Sequence, residues 1–101
     1  MKRILVQNHY FPKPGREKEV YQQRLLASEV RAKLGLPKGR VLKKVKGDAA
    51  ASVIWECEYP SMEARKQDAS LLGEFAEFKE VQERMRTLLT RFEKSIWEIE
   101  D

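Results

Sequence analysis

Asn8 and Tyr10 stand two residues apart in an extended run, Ile4 to Phe11, so their side chains share one side of a strand. An amide beside a phenol can orient a substrate carbonyl or phenol, and this pair forms the candidate catalytic residues. Asn8 lies in a row with Ile4 and Val6. A buried amide in such company must find hydrogen bonds or cost about 1–3 kcal/mol. A second extended run, Ser52 to Tyr59, puts Val53, Trp55, Cys57 and Tyr59 in one row. With Trp97 near the C-terminal end, Trp55, Cys57 and Tyr59 are the candidate substrate-binding residues. Such residues wall a flat apolar pocket or pack as ordinary core. No cation stands near Cys57 in the sequence to lower its thiol pKa, so it reads as a small buried apolar residue.

His9 is the single histidine. One His cannot build a catalytic metal centre alone, and no metal site is expected. Glu56 and Glu98 are its possible carboxylate partners, since period-two alternation puts all three on the same sheet face. A His oriented by a carboxylate can act as a general base; a polar network at a subunit interface is the plainer reading. No nucleophile elbow, zinc-binding helix motif, phosphate loop or dinucleotide fingerprint is present.

The elements that must position these groups follow from periodicity and turn chemistry. After the first strand, Pro12-Lys13-Pro14-Gly15 is a turn. A helix is predicted from Arg16 to Leu34, with Val20, Leu26, Ala27, Val30 and Leu34 on one stripe and Tyr21, Leu25 and Ala32 on a narrower second one. Gly35, Pro37 and Gly39 end it. Val41 to Val45 and Ser52 to Tyr59 form an antiparallel hairpin. Ser61 is the N-cap of a helical stretch from Met62 to Phe92, broken at Gly73, because Gly costs roughly 1 kcal/mol relative to Ala inside a helix. Ser95 to Glu100 closes the chain as a strand. The order β-α-β-β-α-β is the split βαβ, ferredoxin-like arrangement. It predicts an α+β fold with a four-stranded antiparallel sheet and helices on one face, in one domain over residues 1–101.

Alternation assigns Ile4, Val6, Asn8, Tyr10, Val53, Trp55, Cys57, Tyr59, Trp97 and Ile99 to the helix side. The other face then carries Leu5, Gln7, His9, Phe11, Ile54, Glu56, Glu58, Ile96, Glu98 and Glu100. It is too apolar for a plainly solvated sheet, and apolar patches of this kind mark interfaces. A second copy of the chain packed face to face is the expected cover, with Leu5, Gln7, His9, Phe11, Ile54, Glu56, Ile96 and Glu98 at the dimer interface.

The chain has 101 residues, 20 Lys+Arg against 16 Asp+Glu, 42% hydrophobic residues and one Cys. That composition is of an ordinary soluble domain rather than a disordered chain. No apolar run approaches the roughly 18 residues of a membrane span, and no signal peptide is visible. The lone Cys excludes an intrachain disulfide framework. Cytoplasmic localisation is therefore expected. The basic run Lys38, Arg40, Lys43, Lys44, Lys46 invites an RNA-binding reading. Against it, Glu56 and Glu58 occupy the open face where phosphates would lie. Lysines that keep an edge strand from stray pairing explain the run more simply, and such a basic edge could meet the partner's acidic C-terminal edge. Nucleic acid is not an expected partner.

The element order, the Lys13-Pro14-Gly15 turn, the segment from Ile54 to Arg65 and the ending Ser95-Ile96-Trp97-Glu98-Ile99 resemble the dimeric α/β barrel superfamily, nearest NIPSNAP-like and antibiotic-biosynthesis-monooxygenase-like domains. The resemblance implies a homodimer whose sheets pack into a barrel, with a ligand pocket in each subunit between sheet and helices. Asn8 falls where haem-degrading members of the superfamily place a functional Asn. Those members also use a Trp and an iron-ligating His on the second helical region, and no residue from Met62 to Phe92 is either. No cofactor is expected. The functional expectation is a cofactor-independent monooxygenase-like enzyme acting on a small aromatic or hydrophobic molecule. A non-enzymatic small-molecule-binding or stress-associated dimer is the alternative, and RNA binding a weaker one. The residues leave open whether there is turnover.

Overall fold

The computed structural model describes residues 2–100. Its elements are β1 (Ile4–Pro12), α1 (Glu17–Lys33), β2 (Arg40–Lys43), β3 (Val53–Tyr59), α2 (Met62–Leu72), α3 (Ala76–Leu88) and β4 (Leu89–Glu98). The four strands form one antiparallel sheet in the order β2-β3-β1-β4. This is the ferredoxin-like α+β architecture, with the second helical stretch in two pieces. Ser61 caps α2, its hydroxyl accepting the Ala64 N–H at 3.1 Å. Gly73 closes it.

β4 departs from the sequence expectation. It starts at Leu89 rather than Ser95, so Phe92 is a strand residue and not the last rung of a helical stripe. The reason lies in β1. β1 is nine residues long, and the backbone groups that alternate residues direct away from β3 need hydrogen-bond partners; β4 pairs with it from Glu98, opposite Ile4, to Leu89, opposite Pro12. Lys13 N–H bonds Leu88 C=O at 2.8 Å, and the next residue, Leu89, is already extended.

The core lies between the sheet and the helices. Ile4, Val6, Tyr10, Val53, Trp55, Cys57 and Tyr59 meet Val20 of α1 and Met85 and Leu88 of α3. Burying each large apolar side chain contributes about 1.5–3 kcal/mol. A second cluster, Ala27 and Val30 with Phe78 and Val81, joins α1 to α3. The predicted stripe of α1 is only partly right. Leu26 is 48% exposed, and the inward line is Val20, Arg24, Ala27 and Arg31. Those positions are spaced i, i+4, i+7, i+11, one face of a helix.

One glycine is fixed by close approach. Gly39 has φ of +67°, and a Cβ there would stand 2.5 Å from Trp55 Nε1 and 2.7 Å from the Glu56 carbonyl oxygen. This contact lets the connection into β2 lie flat against β3, where Trp55 Nε1 donates to the Lys38 carbonyl at 3.0 Å. The basic run is largely engaged locally. Lys38 pairs with Glu29, Arg40 with Glu56, Lys44 donates to the Ala49 carbonyl, and Lys43 lies over the Tyr21 ring. β2 is an edge strand, consistent with lysines guarding an edge. No helix of the described residues is long and apolar enough to cross a membrane.

Candidate functional site

A cavity of about 290 Å³ lies between the sheet and all three helices, near the lower end of the roughly 300–1,000 Å³ typical of small-molecule sites. β1 contributes Val6, Asn8 and Tyr10, β3 contributes Trp55 and Tyr59, and Leu72, Phe78 and Met85 supply apolar wall from the helices. Four of the sequence-predicted site residues, Asn8, Tyr10, Trp55 and Tyr59, therefore meet in one cavity. Cys57 shares their face but packs in the core without lining the cavity. Burial pushes its thiol pKa up, so it is not an activated nucleophile.

Asn8 sits opposite Trp55 on one side and Lys94 on the other. Its Nδ2 donates a long hydrogen bond, 3.5 Å, to the Tyr10 hydroxyl, and its Oδ1 is buried without a partner. Turning the amide over exchanges an orphaned acceptor for an orphaned donor. Either way one polar end of Asn8 is unsatisfied. Phe92, from the strand residues that periodicity assigned to a helix, closes the wall edge-on to Tyr10, with ring centroids 5.3 Å apart.

Two arginines were invisible to the apolar stripe. Arg24 is 4% exposed and Arg31 2%. Each guanidinium carbon lies 4.8 Å from the Trp55 ring centroid, a cation–π contact. Arg31 is partnered through two of its nitrogens: Nη2 donates to Asp68 Oδ2 at 2.6 Å and to the Tyr59 hydroxyl at 3.2 Å, and Nε donates to the Pro37 carbonyl at 2.7 Å. It thus ties α1 to α2 and β3. Burial pushes the Tyr59 phenol well above its ordinary pKa, so it stays protonated. Arg24 has no carboxylate partner among the described residues, and its Nε is buried without a hydrogen bond. Burial pulls its pKa down, Tyr10 opposes that, and the Arg31 charge adds to it. The signal for both was spacing: each falls on the helix line of Val20 and Ala27.

Three further cations, Arg65, Arg86 and Lys94, line the cavity; Arg86 and Lys94 are exposed and Arg65 partly so, which places them at its mouth. Although solvent-accessible, the Lys94 ammonium is pulled below its ordinary pKa by partial desolvation and then by the Arg65 charge.

The register of β4 corrects the face assignments at the C-terminal end. Trp97 pairs with Leu5, so it lies on the face away from the helices and outside the cavity, 55% exposed. Ile96 and Glu98 pair with Val6 and Ile4 and lie on the helix side, where they border a shallow groove with Met62. Neither belongs to the sheet face proposed for dimerisation, and Glu98 does not share a face with His9. Alternation within six residues gave two possible parities. Pairing with β1 decided between them, since a one-residue shift flips every side chain.

On the open face Leu5, Gln7, His9, Phe11, Ile54 and Glu56 lie together as expected, with Arg40, Leu42 and Trp97 added. A hydrogen-bonded chain crosses all four strands there. Trp97 Nε1 donates to Gln7 Oε1 at 3.2 Å, Gln7 Nε2 donates to Glu56 Oε1 at 2.9 Å, and Arg40 Nε donates to Glu56 Oε2 at 2.6 Å. These bonds engage both oxygens of Glu56, and no hydrogen bond joins that carboxylate to His9. No group of three or more His, Cys, Asp and Glu side chains placed to hold a metal occurs among the described residues.

No family model matches the chain, and no curated protein matches it significantly. Solved structures do. A NIPSNAP family protein from Agrobacterium tumefaciens superposes with a TM-score of 0.77 at 19% identity, covering 99% of this chain and 88% of that one. The chain has the ferredoxin-like fold of such proteins. A provisionally assigned antibiotic biosynthesis monooxygenase from Nitrosomonas europaea gives 0.72 at 11% identity over 97% and 90% of the two chains. A dimeric protein of unknown function and ferredoxin-like fold from Bacteroides fragilis gives 0.71 at 11% identity, covering 96% of each. Likeness at these identities is likeness of fold.

Proposed function

We propose that this protein is a homodimer that binds a small, partly aromatic molecule in the cavity between sheet and helices and oxidises it as a cofactor-independent monooxygenase-like enzyme. The observation that carries the reading is Asn8: a half-buried residue whose Oδ1 is enclosed without a partner, on the wall of a cavity of ligand size, beside Tyr10 and opposite Trp55. An orphaned buried polar group costs about 1–3 kcal/mol, and a ligand hydroxyl or carbonyl there would remove that cost. The fold shared with a monooxygenase-like structure supports the same chemistry.

In that chemistry an electron-rich aromatic substrate reduces dioxygen itself. A ring C–H ortho or para to the phenol oxygen, a CH₂ in the keto tautomer, becomes C=O and the second oxygen atom leaves as water, so the substrate supplies all four electrons. Asn8 and Tyr10 would hold the substrate oxygen and the anion that forms, while Trp55, Phe78 and Met85 would exclude water. A second reading, binding without turnover, is favoured by one observation: among the described residues the cavity's single carboxylate, Asp68, is held by Arg31, which leaves none of them free to act as a carboxylate base.

Native mass spectrometry of the purified protein, with oxygen-electrode assays on hydroxylated aromatic compounds, tests both. Binding and oxygen uptake lost in Asn8→Ala and in the cavity-filling Ala69→Trp support the enzyme. Binding without oxygen uptake supports the carrier. Undiminished binding in Ala69→Trp would remove this cavity from either role.

A further inference from the structure

The described residues do not balance the charge of the cavity. Resting on the reading of this cavity as a ligand site, we propose that its occupant is an organic anion: a small aromatic or apolar body bearing a carboxylate, which Arg24 receives. Arg24 carries the argument. Its guanidinium stays charged in proteins, it is buried, it faces no carboxylate among the described residues, and its Nε lacks any partner. The neighbouring Arg31, set against the same ring, shows what this environment demands of a buried guanidinium: a carboxylate at 2.6 Å. The neighbours Arg24 does have, the Tyr10 phenol and the Trp55 ring, are not carboxylates. A guanidinium presents a planar fork that matches a carboxylate.

The rest of the lining agrees. Five cations, Arg24, Arg31, Arg65, Arg86 and Lys94, stand against one carboxylate, Asp68, which Arg31 already occupies. The three cations at the mouth would raise the local concentration of anions and steer them inward. The interior walls are apolar and the volume is about 290 Å³, which suits a single-ring acid and excludes a polynucleotide. Asn8 is left for a hydroxyl or carbonyl on the body of the same ligand.

The test is calorimetric titration of the wild-type chain at neutral pH with 4-hydroxybenzoate and its neutral isostere 4-hydroxybenzamide. A charge-assisted contact predicts that the acid binds about tenfold or more tightly than the amide. Arg24→Gln should erase that preference while keeping the amide affinity, and Arg24→Lys should restore part of it. Should the Arg24 variants fail to fold, the exposed double variant Arg86→Gln, Lys94→Gln serves: it should slow association of the acid, and flatten its salt dependence, without slowing the amide. Equal affinity for acid and amide in the wild type overturns the anion and leaves the cavity as a ligand site. Binding of neither at millimolar concentration overturns both.

Discussion

Arg24 and Arg31 hold their guanidinium carbons at the same distance, 4.8 Å, from the ring centroid of Trp55, yet only Arg31 reaches a carboxylate. One helix thus carries two buried cations in different states of completion. Arg31 is a structural tie between α1, α2 and β3. Arg24 is a charge for which the described residues provide no carboxylate.

The two should respond oppositely to truncation. Asp68→Ala strands Arg31 as an uncompensated buried charge and is expected to cost about 3–5 kcal/mol. Arg24→Met removes a charge that is already uncompensated and keeps an unbranched chain in its place. It should cost less than about 1 kcal/mol or raise stability, because what is lost is chiefly the contact with the Trp55 ring. Urea unfolding of the three proteins measures both. An Arg24→Met variant as damaged as Asp68→Ala would mean that Arg24 is a structural residue.

Acid sensitivity should centre on Glu56. The Gln7 amide holds its carboxyl below the usual glutamate value; burial pushes the other way, and Arg40 adds to the lowering. Its folded pKa is thus below its unfolded one, about 4.3. The stability this contributes is present above the unfolded value and is lost as pH falls through the folded one. Glu56→Gln keeps the shape and removes the titration. Between about pH 6 and about pH 3, the wild type should lose more of its urea midpoint than the variant does. Parallel losses would show that the network across the open face contributes nothing through Glu56.

Gly39→Ala tests the close approach beside Trp55. The added methyl meets the indole nitrogen at 2.5 Å and a backbone carbonyl at 2.7 Å, and the backbone is in the left-handed region. The expected loss is at least about 1 kcal/mol, with a change in near-ultraviolet circular dichroism as Trp55 gives up its bond to Lys38. An unchanged spectrum and melting temperature would contradict the contact.

The sequence made the strands up to Tyr59, the helix caps and the break at Gly73 legible, because each rests on a local rule: period two, a Ser before a helix, a Gly inside one. It made Asn8, Tyr10, Trp55 and Tyr59 legible as one face for the same reason. Trp97, Ile96 and Glu98 were assigned to the wrong faces because parity at the end of the chain is set by pairing with Leu5, Val6 and Ile4, ninety residues away. Arg24 and Arg31 were missed because a charged residue on an apolar line counts as an interruption. Only the fold puts Trp55 beneath them both and Asp68 beside one of them.

The open face of the sheet carries the dimer expectation, now with a corrected membership. Leu5, His9, Phe11 and Ile54 are half-buried, while Leu42 and Trp97 are exposed. The polar groups that run among them, Trp97 Nε1, Gln7, Glu56 and Arg40, bond one another within the subunit. A second copy could therefore cover this face without stranding those groups, which is the usual cost of burying a polar surface. Stable interfaces bury roughly 800 Å² per partner, and a tryptophan near the centre of one commonly dominates its energy. Trp97→Glu, and separately Leu42→Glu, should turn a dimer at micromolar concentration into a monomer in sedimentation equilibrium. Ile96→Glu, on the opposite face, should leave it a dimer. A wild-type chain that sediments as a single subunit, or an Ile96→Glu variant that alone dissociates, would move the contact away from this face.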